Sequence, residues 1–446
     1  MTDTPRPDRP RKSKSTKNLG PRAAALAAVQ GVVTKATPLD AGLAGRPEWK
    51  RMEPRDRAFA RAIASAGVRR PHALEAALAQ FLSSPLPNKV LKARLILHLG
   101  AAEQLILDTP AHAAVDAWVS LMAQDEETLR FKNLANAVLR KVGGEQGRHA
   151  FATADPLNDL PGWWAERWIE AYGEKTAREM AKARSGPPPL DLTAKPGEDA
   201  AALADAIGGR VMSTGTVRRD QIGAVEGLPG YETGAWWVQD AAAALPAKLL
   251  AAQAGETIAD LCAAPGGKTL QLAAAGATVL AVDASAKRLK RVEENLARTG
   301  LAATVIAKDA LTWRPRDPLD GVLLDAPCTA TGTLRRRPDA AFAKQPGDVD
   351  SLKPIQAGLL DAAFEMLKPG GRMVYCTCSL EREEGEDQIA AFLQRTPGAA
   401  IAPVRPDELP GLEGAVTKTG AVRTRPDMWR GQGGLDGFYI ARIVKA

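Results

Sequence analysis

Two patterns of apolar residues divide this chain. From Pro21 to about Val142, apolar residues recur at three- and four-residue spacing within Ala-, Leu- and Arg-rich runs, as at Val90, Ala93, Leu97 and Leu105. This spacing predicts amphipathic helices, separated by breaks at Pro85 to Asn88 and Asp108 to Pro110. Beyond residue 250 the pattern becomes short unbroken apolar runs with an acid at or near their ends: Thr257 to Leu261, Thr278 to Asp283, Ala303 to Asp309 and Gly321 to Asp325. Such runs predict buried strands of an open α/β sheet. Strands of that kind deliver Asp260, Asp283, Asp309 and Asp325 to one edge, where ligands gather. Taken singly, each acid reads equally well as a helix cap or turn residue.

Between the two patterns, Gly143-Gly144 opens a looser stretch. Trp163, Trp164 and Trp168 have helical spacing and predict a helix docked between domains. Ser185 to Pro189 forms a stiff break, and residues 190 to about 235 mix short strand and helix signals.

Composition narrows the class. A length of 446 residues suggests two or three domains, and 45% hydrophobic content allows ordinary cores. The net charge of +7 favours an anionic partner. Arg6, Arg9, Arg11, Lys12, Lys14 and Lys17, opposed by Asp3 and Asp8, make the first 20 residues a disordered basic arm. Such an arm either adds RNA affinity through counterion release or serves as a solubilising tail. No secretory leader pattern stands at the N-terminus, and no apolar stretch approaches the roughly 18 residues of a membrane span. A cytoplasmic protein is expected. Four cysteines late in the chain do not form a disulfide framework. His72, His98, His112 and His149 lack metal-ligand spacing, so no metal is expected.

The chemistry lies at the ends of the predicted strands. Cys328 and Cys378 each follow an apolar run, so two strand-end thiols can face one pocket. A third run enters Cys262-Ala263-Ala264-Pro265-Gly266-Gly267-Lys268-Thr269, where a glycine pair opens a helix near Thr269 and lets a ligand approach backbone N–H groups. A P-loop needs glycine where Cys262 stands, and the dinucleotide fingerprint also fails, which favours a nucleoside cofactor other than ATP or NAD. Asp283 lies seventeen residues after Gly266, about where a nucleotide-binding sheet places its ribose-binding acid.

Asp-Leu-Cys-Ala-Ala-Pro-Gly-Gly-Lys-Thr at 260 to 269, Asp-Ala-Pro-Cys at 325 to 328 and Thr-Cys-Ser at 377 to 379 resemble the Sun (Fmu) family of S-adenosylmethionine-dependent RNA 5-methylcytosine methyltransferases. Upstream, Glu53 to Arg57, Leu107 to Asp116 and Phe131 to Arg140 resemble the NusB-like domain fused to the RsmB-type, small-subunit rRNA branch of that family in bacteria. The resemblance implies a multidomain fold: an all-α NusB-like N-terminal domain, a small α/β linker subdomain, and a C-terminal α/β Rossmann-like class I methyltransferase domain. The expected boundaries are a tail at 1–20, a helical RNA-binding domain at 21–145, a connecting helix and small subdomain at 146–250 contributing to an RNA cleft, and a methyltransferase domain at 251–446.

The resemblance also implies roles. Cys378 is the nucleophile and Cys328 helps resolve the covalent product; the reverse assignment, as in DNA cytosine methyltransferases, stays open. Asp325 holds cytosine at N3 and its amino group and lies near the cofactor. The loop of Cys262, Ala263, Ala264, Pro265, Gly266, Gly267 and Lys268 wraps the methionine and ribose of S-adenosylmethionine, Asp283 takes the ribose hydroxyls, and Asp309 meets the adenine. Arg335, Arg336 and Arg337 are candidates to hold RNA phosphates or to form a solvated turn. The implied substrate is small-subunit (16S) rRNA, bound by a monomer; the alternatives are another RNA, or a noncatalytic RNA-binding ribosome-assembly factor. Cys376, two residues from Cys378 in an extended strand, reads as an oxidation partner or as core; Lys308 stands where the family commonly has glycine before the third-strand acid; the acidic stretch Glu383-Glu384-Gly385 fits the family with no derivable catalytic role.

Overall fold

The structure, a computed structural model, describes residues 20–220, 223 and 225–446. Apart from Gly20, the expected basic arm lies outside the described residues.

The first periodic region folds into a layer of helices. Helix Pro54–Arg69 begins with proline, whose fixed φ and missing N–H suit a first turn. Helix Leu91–Leu105 buries Ala93, Leu97 and Leu105, the spacing seen in the sequence. Leu26, Ile63, Ile96, Leu99, Trp118 and Leu139 share one core. The buried Glu103 carboxylate is matched there: Arg22 Nη2 donates to Oε1 at 2.5 Å and Trp118 Nε1 to Oε2 at 2.8 Å. The charge is therefore not left unpaired in an apolar medium. Among the described residues, no helix is long and apolar enough to cross a membrane.

After the proline break comes a small antiparallel sheet of β1 (Leu190–Ala194), β2 (Arg210–Val211), β3 (Val217–Arg219) and β4 (Trp236–Val238), in the order β2-β3-β1-β4. Arg218 and Asp191 form a fully buried two-pronged pair across it, with both contacts at 2.7 Å. Arg218 also reaches the main-chain oxygens of Gln432 and Gly434 at 2.8 and 2.7 Å, which fastens this sheet to the C-terminal domain.

The C-terminal domain is built on β5 (Thr257–Leu261), β6 (Thr278–Asp283), β7 (Thr304–Ala307), β8 (Leu319–Asp325), β9 (Leu367–Thr377), β10 (Ala399–Ile401), β11 (Val422–Thr424) and β12 (Phe438–Lys445). The order is β10-β12-β9-β8-β5-β6-β7, with β11 paired to β12. β5 to β9 pair in parallel, and β12 runs antiparallel to β9. The chain moves outward from β5 through β6 to β7, then returns to place β8 on the other side of β5. That reversal puts a crevice at the carboxyl ends of β5 and β8. Helix Leu245–Leu250 packs on β8 and β9 through Leu245, Leu249 and Leu250 against Leu323 and Val374. The sheet's packing unit thus begins ahead of the expected boundary at 251.

Long-range hydrogen bonds join the helical layer to this domain. Arg69 Nη1 donates to the main-chain oxygen of Arg335 at 2.7 Å and of Arg184 at 3.0 Å, and the Leu39 N–H donates to Asp339 Oδ2 at 3.0 Å. Trp164 and Trp168, on helix Gly162–Tyr172, bury against Leu334, Ala341 and Leu380, so the tryptophan helix docks on the sheet domain.

Candidate active site

Register brings the two thiols together. β8 and β9 pair in parallel with Asp325 opposite Cys376, and the Ala326 N–H extends the ladder to the Cys376 oxygen at 2.9 Å. Both chains then leave the sheet at one edge, and Cys328 Sγ comes to 3.5 Å from Cys378 Sγ. The Gly332 N–H donates to the Cys378 oxygen at 2.9 Å, closing the Cys328 loop over the end of β9. Both thiols are half-buried. Cys376 is fully buried, its S–H directed at Asp325 Oδ1 at 3.4 Å; burial and that carboxylate hold it well above the usual thiol range. It is a protonated core thiol.

The glycine loop leaves β5 at Cys262, which has φ 61, and turns at Gly266, with φ 104, into helix Gly267–Ala274. A Cβ on Gly266 would lie 3.2 Å from Val292 Cγ1, so glycine serves both the backbone angle and the packing there. Burial, followed by Asp325, Asp283 and Asp260, pushes the Cys262 thiol up to about 12. Lys268 Nζ lies 2.7 Å from Asp325 Oδ2, tying the loop to the end of β8.

The strand-end acids separate into different environments. Asp325 closes β8 beside both thiol-bearing segments. Asp283 closes β6 and is buried, accepting the Ala264 N–H at 3.2 Å on Oδ2 and the Ser285 N–H at 2.9 Å on Oδ1. Asp260 does not reach the edge as expected. It is wholly buried inside β5, where the Thr269 hydroxyl donates to Oδ2 at 2.5 Å and Oδ1 has no hydrogen-bond partner. Burial raises Asp260 to about 7. Asp309 stands exposed past the end of β7, capping the Leu311 N–H at 2.9 Å.

Arg335 and Arg336 form neither a phosphate clamp nor a solvated turn. Arg335 is buried, with Nη2 2.5 Å from Asp240 Oδ2 and Nε 2.7 Å from Asp436 Oδ1; Arg336 lies 3.2 Å from Asp436 Oδ2 and also meets Asp240. Two buried carboxylates need these cations more than an RNA backbone does. Arg337 alone of the three is exposed.

Sequence reasoning missed the segment after Cys378. Trp164 Nε1 donates to Glu381 Oε1 at 3.1 Å, and Arg167 spans Glu381 and Glu383 at 2.6 Å each. The tryptophan helix therefore grips the residues following β9. A cavity of about 480 Å³ lies elsewhere, in the helical layer among Val68, Leu78, Leu95, His98 and Phe342, and no residue of the carboxyl edge lines it.

Residues 247–444 match the family described as 16S rRNA methyltransferase RsmB/F, and residues 20–143 match the NusB family. The chain is 35% identical over 417 residues to ribosomal RNA small subunit methyltransferase B of Salmonella typhi, covering 90% of this chain and 93% of that protein. It is 35% identical over 440 residues to the protein of the same name from Vibrio cholerae, covering 95% and 97%. Among solved structures, PH0851 superposes with a TM-score of 0.72 at 21% identity over 96% of this chain and 98% of that one. A methyltransferase homolog protein from Pyrococcus horikoshii gives 0.54 at 27% identity, covering 66% and 99%.

Proposed function

The chain belongs to the 16S rRNA methyltransferase RsmB/F family and is an S-adenosylmethionine-dependent small-subunit rRNA methyltransferase; we propose that it methylates carbon 5 of a cytosine through a covalent cysteine–cytosine adduct. One observation carries this reading: two thiols from separate strand ends lie 3.5 Å apart beside the Asp325 carboxylate. Methylation of an amine or a ribose oxygen requires no thiol adduct, whereas carbon 5 of cytosine is too weak a nucleophile without one.

In this reading Cys378 attacks carbon 6 as a thiolate, forming a carbon–sulfur bond and moving the ring's electron pair toward carbon 5. Asp325, held by Lys268, binds N3 and the amino group and supports protonation at N3. When bound, S-adenosylmethionine supplies an electrophilic methyl group on a sulfonium. Cys328, as its thiolate, then takes the carbon 5 proton while the carbon–sulfur bond breaks to return the Cys378 thiolate, and the proton held at N3 returns to solvent.

The loop Cys262–Lys268 and Asp283 suit such a cofactor. Gly266 keeps the loop backbone free of a side chain, and each Asp283 oxygen retains acceptor capacity beyond its single backbone bond. Asp309, exposed at the adjacent strand end, is assigned to the adenine side. The helical region at 20–143 is assigned to rRNA binding, and holding both reactants in one frame supplies much of the rate.

The test incubates wild type, Cys378→Ala and Cys328→Ala with small-subunit rRNA and labelled S-adenosylmethionine. Product 5-methylcytosine from wild type, none from Cys378→Ala, and a denaturation-resistant RNA complex with Cys328→Ala support the reading. Trapping by Cys378→Ala instead reverses the two thiol roles.

A further inference from the structure

Glu384 lies in the turn Arg382–Glu384 just after β9, and its side chain is fully buried. Its Oε1 accepts the Thr329 N–H at 3.0 Å and Gln356 Nε2 at 2.9 Å, while Oε2 accepts the Thr329 hydroxyl. Gln356 Nε2 also donates to the Pro327 oxygen at 2.9 Å. The residues on both sides of Cys328 are thus held by one carboxylate and the amide it binds. The other end of the strap is fixed on the catalytic strand: the Glu384 main-chain oxygen accepts Tyr375 OH at 2.8 Å and Thr377 Oγ1 at 3.2 Å.

Every contact to the Glu384 carboxylate comes from a neutral donor, and among the described residues no lysine or arginine pairs with it. An acceptor-only array of this kind suits an ionised carboxylate. Glutamine could supply most of the same frame without burying a charge, so the frame alone does not account for glutamate.

We propose that Glu384 is a positioning residue for the two-thiol reaction: it holds the Cys328 loop against the end of β9 and places a fixed negative charge beside Cys328, making Cys328 the thiol that keeps its proton. The proposal rests on the roles given above to Cys378 and Cys328. The groups acting on Cys328 agree with it. Contact with Cys378, then burial, then the charges of Cys378 and Glu384 push Cys328 well above the usual thiol range, and the Ala330 N–H opposes them weakly. Tyr375, also buried and held protonated, faces the same space. A protonated Cys328 can donate its S–H to the Cys378 sulfur 3.5 Å away. Once Cys378 is bonded to cytosine, its opposing charge is gone. Cys328 can then release its proton to water and take part in resolving the adduct.

The test compares full-length wild type, Glu384→Gln and Glu384→Ala by limited alkylation with iodoacetamide over a pH series. Cys328 and Cys378 are read separately by peptide mass spectrometry, with no RNA or cofactor present. In Glu384→Gln the label on Cys328 relative to Cys378 is expected to rise roughly tenfold near neutral pH, the change in thiolate fraction for one pKa unit, with the thermal midpoint retained. An unchanged ratio in folded Glu384→Gln overturns the proposal. A ratio that moves in Glu384→Ala but not in Glu384→Gln also overturns it, because the role is then the frame alone. Failure of the cytosine reading would appear separately, as no methyl transfer by wild type.

Discussion

Lys268 Nζ sits 2.7 Å from Asp325 Oδ2, joining the first turn of the helix after the glycine pair to the end of β8. Burial works against the lysine's charge, but Asp325 outweighs it, and the ammonium is held above its usual range. Lys268→Met leaves Asp325 partly buried without a cation. Asp325 keeps 29% side-chain exposure, so the expected cost is about 2 kcal/mol, below that of a fully buried pair. Methyl transfer is expected to fall on the order of 100-fold, as for a misplaced acid–base group. Urea midpoints and single-turnover rates check the two effects.

Asp260 gives a pH signature to folding. Burial lifts it to about 7 in the folded state, whereas an unfolded aspartate ionises near pH 4. The stability due to its retained proton is complete below about pH 4 and is lost as pH rises through about 7. Asp260→Asn removes this dependence. Relative to wild type, the melting temperature of cofactor-free Asp260→Asn should therefore rise progressively between those two pH values. A constant difference across the window would reject the assignment.

The arginine triplet yields a contrast. Arg335→Ala leaves Asp240 and Asp436 to share Arg336 alone and is expected to cost about 3 kcal/mol, toward the lower end for a broken buried pair. Arg337→Ala should leave stability within about 0.5 kcal/mol. If Arg337 touches a phosphate, its removal lowers the salt slope of RNA binding by about one. Denaturant titrations and filter binding at several salt concentrations separate the two residues.

Gly332 is where two backbones meet. A Cβ there would lie 2.0 Å from the Gly437 oxygen, and the Gly437 N–H donates to the Gly332 oxygen at 2.9 Å. Gly332→Ala must push the Cys328 loop off the start of β12, at an expected cost of about 1–3 kcal/mol. The same shift disturbs the bond to the Cys378 oxygen, so activity should fall even at temperatures where the variant stays folded.

Local patterns were legible. β5 and β6 occupy the apolar runs Thr257–Leu261 and Thr278–Asp283, and the helical layer follows its three- and four-residue spacing. The destinations of charged side chains were not. Arg335 reads as an exposed cation in sequence because Asp240 and Asp436, its partners, lie 95 and 101 residues away on either side. Asp260 was grouped with the strand-end acids because apolar spacing does not reveal which carboxylate turns inward to a threonine. Glu384 reads in sequence as part of an acidic stretch with no derivable role, since Thr329 and Gln356 become its neighbours only after β8 and β9 align. The tryptophan spacing indicated a docking helix without indicating that its surface would hold Glu381.

The joint between the helical layer and the sheet domain also sets an order of events in time. Arg69 closes on the main-chain oxygens of Arg184 and Arg335, and Leu39 on the carboxylate of Asp339. Those acceptors are correctly placed only after the later residues have folded. The helices depend mostly on near neighbours and can form early, whereas the joint must wait for distant segments to arrive. During that interval Arg69 keeps its hydration, and it gives up that water only when the acceptors are in place. Refolding should therefore recover helix content in a fast phase and seal the joint in a later one.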